Sequence, residues 1–229
     1  MKHNQPRIGL LPFYLKLYDD LQSARRDVFE DFQRRIAEGF EARGVSVVTA
    51  PVCRIAPEFA AAVTTFEQKG VDAIVTLHLA YSPSLEALEA LQRTALPLIL
   101  LDSTMDAAFA PGVSPSRIMY NHGVHGVMDL ASVLRRVGRH FEIVAGHDSD
   151  PGVLDRAAGL ARAARGAREM RGSRALRVGP AFHGMGDFAV TADVMRDSFD
   201  ITVDEVGLEA LDAAILKVGD DEIAAELAA

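Results

Sequence analysis

Residues 118–138 read IMYNHGVHGVMDLASVLRRVG, and the fold follows from the change of character partway along this stretch. Ile118-Met119-Tyr120 is a short apolar run. Asn121, His122, Gly123, His125 and Gly126 break it. Val127, Leu130, Ala131, Val133, Leu134 and Val137 then recur at helical spacing, and Gly138 is the stop. Where a loop becomes a helix, backbone N–H groups lack partners and the positive end of the helix dipole faces outward. Two imidazoles and a carboxamide at such a place suit a polyhydroxy or anionic small molecule. Gly123 and Gly126 tolerate positive φ and let a backbone or ligand come close. His122 and His125 share one face of a turn. Three readings stand open: a capped helix with two exposed histidines, a functional site, or a structural metal held with Asp129, whose spacing is no zinc signature.

Working outward, the same alternation recurs. Arg7 to Leu11 reads as a buried strand closed by Pro12, with Phe13 to Tyr18 as the loop at its carboxyl end. Asp19 or Asp20 caps a helix to Arg43, its apolar stripe Leu21, Val28, Phe29, Phe32, Ile36 and Phe40, and Gly44 ends it. A strand at Val45 to Thr49, a helix opened by Pro57 and a strand at Val71 to Leu79 follow. On the last of these, Thr76 and His78 share a face. Ser82 and Pro83 have the form of an N-cap and first helical residue. Pro97 to Leu101 and Phe141 to Ala145 are further strands, and Val153 to Arg171 a helix. Gly172-Ser173 is the best linker, dividing residues 1–172 from the start of a second α/β domain at 173–229 that looks incomplete. The pattern predicts an α/β fold, a doubly wound parallel sheet of flavodoxin-like or Rossmann-like form, with ligands beyond the carboxyl ends of the strands. The polar clusters fall at those ends: Phe13 to Tyr18, His78 to Ser84, Asp102 to Thr104, Asn121 to Gly126 and Gly146 to Asp148.

Composition narrows the function. The chain of 229 residues is 49% hydrophobic, has no tryptophan and carries a formal charge of −8. An aliphatic, alanine-rich core suits helices on a parallel sheet, and the acidic balance argues against nucleic acid. Arginines 156, 162, 165, 168, 171 and 174 read as a solvated helix face. Cys53 is the single cysteine, so no intrachain disulfide is expected, and it reads as a buried small hydrophobe. The first residues lack the apolar run of a signal peptide, and no stretch is long enough to span a membrane. A cytoplasmic protein with no membrane partner is the expectation.

Gly184-Met185-Gly186-Asp187-Phe188-Ala189 matches G-x-G-x-x-A, but the turn from the strand is too long for a dinucleotide fingerprint. No P-loop and no G-x-S-x-G elbow occurs. His147-Asp148 reads as a loop contact more than an acid/base pair, and His78 as a core histidine.

Tyr81-Ser82-Pro83-Ser84, the strand Pro97 to Leu101, Asn121 to Gly126, Ala145-Gly146-His147 and Met185 to Thr191 together resemble, in order and spacing, the L-arabinose/L-fucose isomerase family, over essentially the whole chain. The resemblance implies a manganese-dependent aldose–ketose isomerase acting on a pentose or 6-deoxyhexose, with sugar sites between subunits of a trimeric or hexameric homo-oligomer. By position Tyr81 looks like a substrate-contacting aromatic, His125 like the pocket histidine, His122 like a polar pocket residue and Met185 like the apolar wall. The family's metal ligands and acid/base glutamates lie past the region matched. The expectation is therefore sugar-lining residues without catalytic or metal-binding ones, and a chain inactive alone. The alternative is a non-catalytic sugar-binding or oligomerisation module of flavodoxin-like fold.

Overall fold

The structure is a computed structural model and describes residues 5–21, 27–186 and 190–228. The chain divides into two compact units, Met1–Arg165 and Gly166–Ala229.

In the first unit, strands β1 (Arg7–Phe13), β2 (Ser46–Thr49), β3 (Ala73–His78), β4 (Leu98–Asp102) and β5 (Glu142–Ala145) form one parallel sheet in the order β2-β1-β3-β4-β5. This is the expected α/β fold. Helices α1 (Lys16–Leu21) and α2 (Asp27–Glu41) follow β1, while α3 (Ala56–Gln68), α4 (Leu85–Arg93), α5 (Gly123–Arg136) and α6 (Pro151–Met170) follow β2 to β5 in turn.

Two apolar layers sandwich the sheet. Phe29, Phe32, Ile36 and Phe40 of α2, with Leu154, Ala157 and Ala161 of α6, pack on Ile8, Leu10, Val75 and Leu101. On the other face Phe59 and Phe66 of α3, Leu91 of α4 and Leu130 of α5 pack on Leu11, Ile74 and Leu100. Helical spacing dictates which α2 residues turn inward; Val28, expected on that stripe, is exposed because its neighbour Phe29 takes the inner position. The expected Leu21 contribution lies on a side chain outside the described set.

β1 runs two residues past the expected stop. Pro12 sits inside the strand, opposite Leu77, and accepts a hydrogen bond from the Cys53 N–H. Carbonyl and nitrogen of one residue face the same side of a strand, so the missing Pro12 donor faces the side where β2 has already ended at Thr49, and no ladder bond is lost.

The second unit contains a parallel pair, β6 (Arg174–Val178) and β7 (Thr202–Val206), with α7 (Ala192–Phe199), α8 (Leu208–Ile215) and α9 (Asp220–Leu227). Ile201 is the buried apolar residue there, among the described residues. Gly172, at φ 70°, ends α6 in the left-handed region.

Candidate functional site

The order β2-β1-β3-β4-β5 has its switch point between β1 and β3: the chain leaves β1 for the α2 face and leaves β3 for the α4 face. A crevice at the carboxyl ends of those two strands is where open α/β sheets bind ligands. Tyr18 on α1 comes from the β1 side and Tyr81, just after β3, from the other.

His122 and His125 arrive from beyond β4. A 3₁₀ turn at Pro115–Tyr120 leads into α5, with His122 at its N-cap. Tyr18 Oη lies 3.1 Å from His122 Nε2. The His122 and His125 rings are 6.3 Å apart between centroids, and His125 Nδ1 is 3.4 Å from the His122 carbonyl. Tyr18 is held above the usual phenol range, by burial first and then by the neighbouring Tyr81. His122 is half-buried and held below the ordinary imidazole value, chiefly by burial. Its Nδ1 is sealed from solvent. Tyr81 and His125 are exposed. The result is two phenols and two imidazoles that present ring faces together with donors and acceptors.

The start of α5 is set by its glycines. A Cβ at Gly123 would stand 2.3 Å from the His78 carbonyl oxygen, and one at Gly126 would stand 2.7 Å from His78 Nδ1 and 2.8 Å from Ser82 Oγ. Close approach to β3 is therefore their role. Neither has a positive φ, so that part of the expectation does not hold. His78 is buried, stacks on Phe13 at 4.4 Å and bonds Ser82 Oγ at 2.9 Å. Burial pushes its pKa down to about 3. It is the core histidine the sequence suggested. Ser82 is occupied there, and Ser84 is the N-cap of α4 instead.

Two residues considered for the site have structural duties. Asp129 accepts from the Ser84 N–H at 3.2 Å, tying α5 to the start of α4 rather than completing a metal set with the histidines. Asn121 donates to Asp106 at 2.7 Å and to the Arg117 carbonyl at 3.0 Å, and its oxygen accepts from the Asp106 N–H at 2.9 Å. Arg117 grips the Asp106 carboxylate at 2.7 and 2.9 Å. His147 and Asp148 approach within 3.5 Å of each other. Each is engaged in holding loops: Asp148 takes Arg35 at 2.7 and 3.1 Å, and His147 bonds Ser149 at 2.8 Å.

At the end of β4, burial raises the Asp102 carboxyl above its usual range, and Ser103 Oγ is buried with no partner. Met185 lies in the second unit, exposed, in the described part of the glycine motif; Asp187, Phe188 and Ala189 fall outside the described residues. Sequence reasoning reaches Tyr18 only as the end of a polar loop and does not single it out. An aromatic hydroxyl just past the first strand of a doubly wound sheet is the signal that could have found it. Among the described residues no group of three His, Cys, Asp or Glu side chains is placed to hold a metal ion. No helix among the described residues is long and apolar enough to cross a membrane.

No protein-family model matches the chain and no curated protein matches it. Solved structures that it resembles include a periplasmic solute-binding protein of an ABC transporter from Actinobacillus succinogenes with bound D-allose (17% identity, 89% of this chain, 59% of that one, TM-score 0.36). Others are the Escherichia coli transcriptional repressor ascG (13% identity, 88% and 78% covered, TM-score 0.31) and a fructose-binding periplasmic domain of a hybrid two-component system (17%, 85% and 77%, TM-score 0.28). The chain therefore spans 59% of the length of the first of these. At these TM-scores the likeness carries no argument about function. The assignment to the L-arabinose/L-fucose isomerases is corrected: no family model and no curated sequence supports it, and the solved structures named here are a solute-binding protein, a repressor and a fructose-binding domain, none of them an isomerase. The short motifs that suggested it have local causes, as Gly123 and Gly126 show.

Proposed function

We propose that the first unit binds a small polyhydroxy molecule, a sugar, between the carboxyl ends of β1 and β3, and does so as a binding module without chemistry of its own. The observation that carries this reading is the Tyr18–His122 hydrogen bond at 3.1 Å beside His125 at the sheet's switch point, where Tyr81 follows β3. A sugar ring has an apolar C–H face and a rim of hydroxyls. An aromatic ring stacks on the first, and imidazole nitrogens and phenol oxygens pair with the second, since each both donates and accepts. Phenols and imidazoles are mostly uncharged near pH 7, so a site built from them suits a neutral ligand over an anion.

Isothermal titration of the full chain with a panel of pentoses, hexoses and 6-deoxyhexoses tests the proposal. A member of the panel is expected to bind, and Tyr81→Ala and His125→Ala each to weaken it by about tenfold, the effect of about 1.4 kcal/mol. Both residues are exposed, so folding should be retained. A panel without any binder, or full affinity in both variants, would refute the reading.

A further inference from the structure

A second groove lies away from the crevice, along the edge of the sheet. A cavity of about 610 Å³ lies between α2 and α3, floored by Ala50, Val52, Cys53 and Phe66. A second, of about 410 Å³, continues along α2 past Ala37 and Glu41. Glu30, Gln33 and Thr49 line both, so the two are one trough.

The trough follows β2, which pairs with β1 on one side only. The Ser46 and Ala50 N–H groups bond Pro6 and Leu10. Facing alternates along a strand, so Val47 and Thr49 direct N–H and C=O groups away from β1, along the free edge. Gln33 is 8% exposed and lines both cavities.

Charge gives the sign of the occupant. Arg34 is occupied by Asp31 and Glu38, and Arg54 by Asp19 and Glu58. Glu30 and Glu41 have no ion partner among the described residues, and both lie on the α2 rim. From Glu30 to Glu41 the helix rises about 16 Å at ~1.5 Å per residue, the reach of about five extended residues at ~3.3 Å each.

We infer that the free edge of β2 receives an extended basic segment of a partner polypeptide as a further strand, its backbone on Val47 and Thr49 and its Lys or Arg side chains toward Glu30 and Glu41. Strand addition of this kind takes affinity from main-chain bonds and specificity from flanking pockets. The site is separate from the sugar crevice and does not depend on it.

The test uses the ¹⁵N-labelled full chain and three acetylated, amidated pentapeptides: one alternating lysine and valine, its glutamate counterpart, and the lysine peptide with N-methylated backbone. The lysine peptide is expected to shift the Val47 and Thr49 amides and slow their exchange. The other two should bind at least about tenfold more weakly. Glu30→Gln with Glu41→Gln should lower affinity and flatten its salt dependence. Thr49→Pro, which leaves β1 pairing intact, should abolish binding. Equal affinity for the glutamate or N-methylated peptide, shifts confined to other residues, or protection of the same amides by concentration-dependent self-association alone would each overturn the inference. Free lysine amide binding as tightly as the peptide would overturn it too.

Discussion

Replacing Gly123 by alanine tests how α5 is mounted. The new Cβ would stand 2.3 Å from the His78 carbonyl oxygen and 3.1 Å from His78 Cβ. The obstacle is backbone of a central strand, so it cannot swing aside. Restoring ordinary contact needs a shift of about 1 Å in the helix start, and forcing a methyl group into a packed site costs about 1–3 kcal/mol. Alanine's helix preference returns at most ~1 kcal/mol. The net expectation is a loss of about 1–2 kcal/mol. Gly159, within α6, is the matched control: nothing lies within 4 Å of the place an added methyl group would take, and its φ is ordinary for a helix. Gly159→Ala should gain about 0.5–1 kcal/mol. Urea unfolding followed by far-ultraviolet circular dichroism measures both, and a slope of about 2 kcal/mol per molar urea separates the two midpoints by roughly 1 M. If Gly123→Ala unfolds at or above the wild-type midpoint with an unchanged slope, α5 does not press on β3 and the argument for where His122 sits fails.

Two further predictions concern buried groups. His78 has a folded pKa of about 3, below the free imidazole value of 6.5, so between those values the unfolded chain takes up a proton that the folded chain refuses. Stability is therefore level above pH 6.5 and falls as pH drops toward 3, and the half-buried His122 acts in the same direction. In His78→Gln, which keeps a partner for Ser82, the stability slope between pH 7 and 5 should flatten; an unchanged slope contradicts the assignment. Cys53 is buried and its thiol is pushed up to about 12, mainly by burial. In folded protein at pH 8 it should resist iodoacetamide and react only in denaturant. Full labelling of native protein within minutes would mean that the groove floor is open.

The α/β alternation was legible because apolar runs bounded by glycine and proline survive in any register: the sheet, the α2 stripe at Phe29, Phe32, Ile36 and Phe40, and buried His78 all follow from spacing. What spacing cannot carry is which neighbour a side chain meets. Ser82 has a capping residue's sequence context, yet it bonds His78. Asp129 sits one turn beyond His125, yet it reaches Ser84, distant in sequence. Pro12 looks like a strand end until the length of its neighbour β2 is known. Tyr18 joins the site through His122, more than a hundred residues away in sequence. Part of the isomerase resemblance has a related cause: Gly123 and Gly126, which the close contact of α5 with β3 requires, match a motif for a local packing reason.

The Asp106, Arg117 and Asn121 clasp closes the excursion between β4 and α5 at its neck. Residues 107–113 thus hang from a fixed collar, and Ser114 caps the 3₁₀ turn that leads to His122. Insertions or deletions within them should leave His122 and His125 undisturbed. That makes this arc the natural place for evolution, or a protein engineer, to remodel the mouth of the crevice without rebuilding its floor.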